Sequence, residues 1–268
     1  MACIVITEFM DEGAVARLSD AAETVYDPAL VEQPDKLAGL LADARALIVR
    51  NRTQVREPIL RAAPNLNCVG RLGVGLDNID MAACDARAVA VYPATGANDA
   101  SVAEYVITAS MMLLRGAYLG SDQVRNGAWP RQSMMGAELG GRCLGLVGYG
   151  AIARETAARA RALGMRIAAF DPHLPADHPA WVGADRLELN ELLAVADIVS
   201  LHTPLTDETR HLINGEALSR MKRSAIVINA ARGGIVDETA LTDALSQGAL
   251  ARDQRGRSRV PDENGKLR

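Results

Sequence analysis

This sequence has little cysteine and little histidine, four of each in 268 residues. Cys3, Cys68, Cys84 and Cys143 lack metal-ligand spacing. Three of the four sit in or beside apolar runs, which predicts buried, inert thiols rather than redox or metal-binding ones. The histidines are scattered as well. There is no excess of positive charge. The formal net charge is −4, so nothing points to nucleic acid or an anionic membrane. No apolar stretch reaches the length of a membrane span. No basic region precedes an apolar run at the N-terminus, and Glu8 and Asp11 stand there instead, so it does not read as a signal peptide. The expected setting is the cytoplasm.

What is present is a soluble globular profile, 49% hydrophobic and 23% charged, with length enough for two domains. The most informative stretch is 144–153. Leu144, Leu146 and Val147 read as the end of a buried strand. Gly148, Gly150 and Ala153 follow, and a helical run from Arg154 to Leu163 comes next. This is G-x-G-x-x-A on a strand, turn and helix, the dinucleotide-binding fingerprint. Gly148 allows the tight turn, Gly150 lets the backbone approach a pyrophosphate, and Ala153 lets the helix pack close. The helix N-terminus offers N–H groups and a positive dipole end. A second strand, Arg166 to Phe170, ends at Asp171, 21 residues after Gly150. An acid there accepts hydrogen bonds from ribose hydroxyls and repels a 2'-phosphate, which favours NAD over NADP.

Short apolar strands alternate with helical segments throughout. The expected strands are 3–7, 25–26, 46–50, 67–71 and 89–92, then 143–147, 166–170, 197–201 and 225–229. Amphipathic stretches at 35–44 and 58–63 lie between the early ones, and helical segments at 187–194, 214–221 and 237–246 between the later ones. Such alternation predicts an α/β fold of two parallel-sheet βα domains. A long helix is expected over 101–119, capped by Asp99 or Ser101, with Glu104 in its first turn. The segment 252–268 is basic and has no period of 2 or 3.6, which predicts a disordered tail.

Two further segments carry chemistry. In 70–80, Gly73 and Gly75 at a strand end expose successive N–H groups, a nest for a carboxylate or carbonyl oxygen. Taken alone, a glycine turn with Asp77 or Asn78 capping the next helix is the plainer account. In 226–238, a strand runs into a loop with a single arginine, Arg232, whose planar fork suits a carboxylate. Ligands of open α/β sheets bind at such strand ends. Gly233 and Gly234 allow close approach there, and Asp237 reads as an N-cap.

With Leu201-His202-Thr203-Pro204-Leu205-Thr206, these motifs resemble the D-isomer-specific 2-hydroxyacid dehydrogenases over about residues 3–250. Segments 49–53, 70–80 and 129–132 look most like the phosphoglycerate and sulfolactate dehydrogenase branch. The resemblance implies a flavodoxin-like substrate domain over 1–97 and a Rossmann NAD domain over 98–251, with the site in a cleft and the second sheet incomplete at its C-terminal end. It implies that Ala151 and Ile152 contact the pyrophosphate and Asp171 the ribose. Thr203, Pro204, Ala230 and Ala231 would line the cofactor slot. Val74 and Gly75 would bind the substrate carboxylate, Arg50 would approach the far end, and Arg232 would be the catalytic arginine. A homodimer through the helix 101–119 is implied too. Arg50, Arg52 and Arg131 suit an anionic far end, such as phosphate or sulfonate, and read equally as surface arginines.

The family's general base is a His oriented by a Glu, both downstream of Arg232. No counterpart occurs here; no His follows His211, and the pattern stops after Ala251. This suggests a truncated or replaced chain end, as from a shifted reading frame. An exposed apolar sheet edge and a rate lowered by about 10²–10⁴-fold are then expected. The alternative is a catalytically silent NAD-binding module, like the family's corepressor relatives. A methyltransferase with the same fingerprint is disfavoured by Arg232 and its glycines.

Overall fold

The computed structural model describes residues 3–116 and 120–250. The expected tail at 252–268, and the end of the expected helix at 117–119, lie outside the described residues. The chain divides between Asn98 and Asp99 into two compact units.

The first unit is a five-stranded parallel sheet of β1 (Cys3–Ile6), β2 (Glu23–Tyr26), β3 (Ala44–Val49), β4 (Cys68–Arg71) and β5 (Ala90–Pro93). Its order, β2-β1-β3-β4-β5, is the flavodoxin-like one. Helices α1 (Glu12–Ala21), α2 (Pro34–Leu41), α3 (Glu57–Ala62) and α4 (Met81–Ala86) connect the strands. Val5, Leu47, Val49 and Val69 are fully buried and pack with Leu37, Leu41 and Leu60 of α2 and α3. Each such side chain stabilises the unit by about 1.5–3 kcal/mol. The order reverses between β1 and β3, so their carboxyl ends flank a topological switch point.

The second unit opens with α5 (Asp99–Arg115) and α6 (Ser121–Arg125). Its sheet holds β6 (Cys143–Val147), β7 (Arg166–Phe170), β8 (Asp185–Arg186), β9 (Ile198–Leu201) and β10 (Ile226–Asn229). The order β10-β9-β6-β7-β8 is the Rossmann order for its first five strands. Helices α7 (Ala151–Ala162), α8 (Leu189–Val195) and α9 (Gly215–Arg220) lie in the crossovers, and α10 (Glu238–Ser246) follows β10. All of β6 is buried, because helices cover both faces. Cys143 and Val147 face the α8 and α9 side with Leu192 and Leu218. Leu144 and Leu146 face Val106, Ala153, Ala157 and Ala160 of α5 and α7. The switch point here lies between β6 and β9. β10 is the outermost strand among the described residues, with Ile226 and Val227 half-buried and Ile228 buried.

The α/β class and parallel sheets are as expected, and several details differ. The long helix spans Asp99–Arg115, so Asp99 lies in its first turn rather than before it. It stops because Gly116 adopts φ +63°, a left-handed conformation that ends helices. α4 is capped by Asp80, whose Oδ1 accepts the Ala83 N–H at 2.9 Å, and not by Asp77 or Asn78. β8 had no signal because it is two exposed residues long. α1 buries no residue and so shows no strong apolar stripe.

Candidate functional site

In the second unit, Gly148 follows β6 with φ +85° and donates its N–H to Phe170 O at 2.8 Å. A Cβ here would stand 2.8 Å from His202 O and 3.0 Å from Thr203 Cγ2, so the turn can lie against the end of β9 only without a side chain. Gly150 is the N-cap of α7, and no side chain caps the helix there. A Cβ on Gly150 would meet nothing within 4 Å. That space is open to a ligand rather than filled by protein. Ala151 is exposed at the first turn and Ile152 is half-buried, while Ala153 is fully buried against the sheet.

Asp171 follows β7. Its Oδ2 accepts the Tyr149 N–H at 2.8 Å and its Oδ1 accepts the His173 N–H at 3.0 Å. A carboxylate has about four acceptor positions, so capacity remains for ribose hydroxyls. Tyr149 is itself buried and stacks on Trp181 with centroids 5.2 Å apart. Thr203 Oγ1 is buried with no hydrogen-bond partner among the described residues. An orphaned hydroxyl of this kind is costly unless a ligand completes it. Pro204 beside it is exposed. The orphan hydroxyl, the open Gly150 and the uncapped α7 terminus together fit a dinucleotide.

Arg232 lies in the loop after β10, half-buried. Asn229 braces that loop: its Nδ2 donates to Arg232 O at 2.7 Å and its Oδ1 accepts the Ala231 N–H at 3.1 Å. The loop's far side is held by His211 N–H to Gly234 O at 2.8 Å and Ile213 N–H to Ile235 O at 3.1 Å. Arg232 Nη1 donates to Ala231 O at 2.8 Å. Ala230 and Ala231 are half-buried between β10 and this turn.

Three of the histidines make hydrogen bonds among the described residues that do not involve a carboxylate. His178 Nδ1 accepts the Ala180 N–H at 3.1 Å. His211 sits at φ +51° and holds Gly234 through its backbone. His202 Nε2 lies 2.9 Å from Ser200 Oγ. Burial pushes its pKa down to about 4, so the ring is neutral at pH 7. Cys84 and Cys143 are buried while Cys3 and Cys68 are half-buried, and burial raises the thiol pKa of Cys3, Cys84 and Cys143. No metal-binding cluster of His, Cys, Asp or Glu occurs among the described residues.

In the first unit, Val74 and Gly75 are half-buried in the turn after β4. Neither backbone N–H has a protein acceptor among the described residues. Gly73 takes φ +147°, and a Cβ there would fall on the Arg71 guanidinium, whose Nη1 donates to Leu72 O at 3.0 Å. Arg50 follows β3, is exposed, and lies 5.9 Å from the Phe9 ring centroid. Arg52 is committed to Glu32 at 2.8 Å.

Two residues that bear on Arg50 had other readings in the sequence. Glu8 stood only as a charge near the N-terminus, yet it is 5% exposed at the end of β1. Its carboxylate accepts the N–H groups of Arg50 at 2.9 Å, Arg52 at 3.1 Å and Thr53 at 3.0 Å. Burial alone would raise its pKa, but the N–H groups of Thr53, Arg50 and Arg52 hold it below the ordinary range. Asn78 is 3% exposed, and its Nδ2 donates to Arg50 O at 3.1 Å and Thr53 O at 2.7 Å. A carboxylate placed directly after an apolar strand, beside the switch point, was the available signal for Glu8.

The model of the D-isomer specific 2-hydroxyacid dehydrogenase NAD binding domain matches residues 107–253. An (S)-sulfolactate dehydrogenase of Chromohalobacter salexigens is 54% identical over 91% of this chain and 80% of its own length. A D-3-phosphoglycerate dehydrogenase of Methanocaldococcus jannaschii is 36% identical over 93% of this chain, which spans 48% of that relative. The crystal structure of the TT0316 protein of Thermus thermophilus superposes with a TM-score of 0.80, at 32% identity, over 91% of this chain and 78% of that one. No described helix is long and apolar enough to cross a membrane.

Proposed function

We propose that this chain, which belongs to the D-isomer-specific 2-hydroxyacid dehydrogenase family, interconverts a small 2-hydroxy acid and its 2-oxo acid with NAD. NAD is the family's cofactor, and when bound it supplies the hydride exchange. The observation that carries the reading is Arg232, braced by Asn229 at the carboxyl end of β10, in the same sheet as the glycine turn at 148–150.

Each residue then has a task. Gly148 and Gly150 leave room for the pyrophosphate, which Ala151 and Ile152 meet with the first turn of α7. Asp171 accepts the ribose hydroxyls. Thr203, Pro204, Ala230 and Ala231 wall the slot and keep water out, with Thr203 Oγ1 completed by the ligand. The N–H groups of Val74 and Gly75 take the substrate carboxylate. Arg232 suits a substrate carboxylate and a neighbouring carbonyl oxygen, where negative charge develops. Arg50 meets the substrate's far end. A sulfonate or phosphate tail suits it, in line with the names of the sulfolactate and phosphoglycerate dehydrogenase relatives. The exposed side chains of Tyr105 and Met112 on α5 supply a face for a homodimer.

A second reading, NAD binding without turnover, rests on a specific observation. Among the described residues no histidine ring is hydrogen-bonded or ion-paired to a carboxylate side chain, and the rings of His202 and His178 meet Ser200 Oγ and the Ala180 N–H instead. A panel of 2-oxo acids with NADH separates the two. Turnover that disappears in Arg232→Ala supports the dehydrogenase; NADH binding with no turnover on any acid supports the silent module.

A further inference from the structure

We propose that Glu8 and Asn78 are positioning residues that hold the 50–53 loop from both sides, and so make Arg50 the selector for substrates with an anionic tail. This rests on the reading that Arg50 meets the substrate's far end. The geometry is a clamp. Glu8 gathers the N–H groups of Arg50, Arg52 and Thr53, and Asn78 gathers the carbonyls of Arg50 and Thr53. Thr7 Oγ1 adds a 2.8 Å bond to Thr53 Oγ1. Both clamping side chains are buried, so water does not compete for these bonds.

The clamp sits at the switch point between β1 and β3, where ligands of such sheets bind. Its effect on the side chains is selective. Arg52 is drawn to Glu32, while Arg50 forms no ion pair among the described residues and rests near Phe9. Arg50 is therefore the cation available to an incoming anion. A buried carboxylate with no cationic partner is costly to desolvate, and a hydrophobic residue would serve packing as well. What the carboxylate adds is a fixed loop path, which spares the ordering of Arg50's backbone when substrate binds.

The test uses the full chain saturated with NAD⁺, which cannot reduce a 2-oxo acid, so that binding is read without turnover. Calorimetry gives the affinity for pyruvate, which ends in a methyl group, and for its counterpart ending in a sulfonate. The unaltered protein should prefer the sulfonate. Glu8→Gln sets an amide NH₂ against the Arg52 N–H, and Asn78→Ser removes the carbonyl clamp. Glu8→Gln should cut the preference by about tenfold or more, the weight of a hydrogen bond to a charged group, and Asn78→Ser, which loses neutral bonds, by about threefold or more. Pyruvate and NAD⁺ affinities should stay unchanged. An intact preference in both variants, or an equal loss for pyruvate, overturns the clamp. Arg50→Met tests the underlying reading separately: if it leaves the preference intact, Arg50 does not meet the tail. If Glu8→Gln loses NAD⁺ binding through misfolding, Asn78→Ser decides. In the unaltered protein the N–H groups of Arg52 and Thr53 should exchange hydrogen slowly, and fast exchange at both would also overturn the proposal.

Discussion

The Asp171 carboxylate accepts the backbone N–H of Tyr149 at 2.8 Å, which ties the acid at the end of β7 to the glycine turn after β6. One side chain thus fixes the shape of the turn and keeps acceptor positions for ribose. Asp171→Ala should weaken NADH binding by about 10–100-fold, as for the loss of hydrogen bonds to a charged group. Titration of NADH followed by fluorescence checks this. Equal affinity in the variant would remove Asp171 from the cofactor site.

The two glycines of the turn should respond differently. Gly148 is at φ +85° and its Cβ would press on His202 O, so Gly148→Ala should cost about 1–3 kcal/mol and lower Tm. At Gly150 an added methyl meets no protein atom within 4 Å, so Gly150→Ala should leave Tm nearly unchanged while weakening NADH binding. Thermal unfolding with and without NADH separates the two effects. A large fall in Tm for Gly150→Ala would contradict the assignment of that space to the cofactor.

Stability should depend on pH through His202. Its pKa is depressed by burial from 6.5 to about 4, so between those values the unfolded chain takes up a proton that the folded protein does not. The stability that His202 contributes is complete above pH 6.5 and is lost as pH falls toward about 4. The slope approaches about 1.4 kcal/mol per pH unit within that window. Denaturant unfolding across it should show a flatter profile for His202→Asn. An unchanged slope would mean that His202 is not neutral in the fold.

The strands were legible because each is a short apolar run closed by glycine, proline or an acid, and both faces of these sheets are covered. Segment 143–147 agrees with β6 to the residue for that reason. Asp237 reads as an N-cap from its place before an apolar run, and its Oδ1 accepts the Ala240 N–H at 3.0 Å. Long-range partners leave no local trace. Asn78 sits where an Asx cap belongs, yet it reaches back 25 residues to Thr53 O. Glu8 reaches forward 45 residues to the Thr53 N–H, a partner that its place after an apolar strand does not name. Gly145 is also silent in sequence, though a Cβ there would stand 2.6 Å from Leu192 Cδ2. Spacing shows which side chains share an element; tertiary packing decides which of them meet.

Hydride exchange between NAD and a 2-oxo acid is the claim on which the functional account depends. It is tested most directly by supplying NADH carrying deuterium at the transferable C4 position, with a sulfonate-tailed 2-oxo acid, and examining the product by mass spectrometry and NMR. The account predicts a 2-hydroxy acid labelled at C2, and no labelled product from Arg232→Ala. Bound NADH with no labelled product from the unaltered protein would contradict it and leave the silent NAD-binding module.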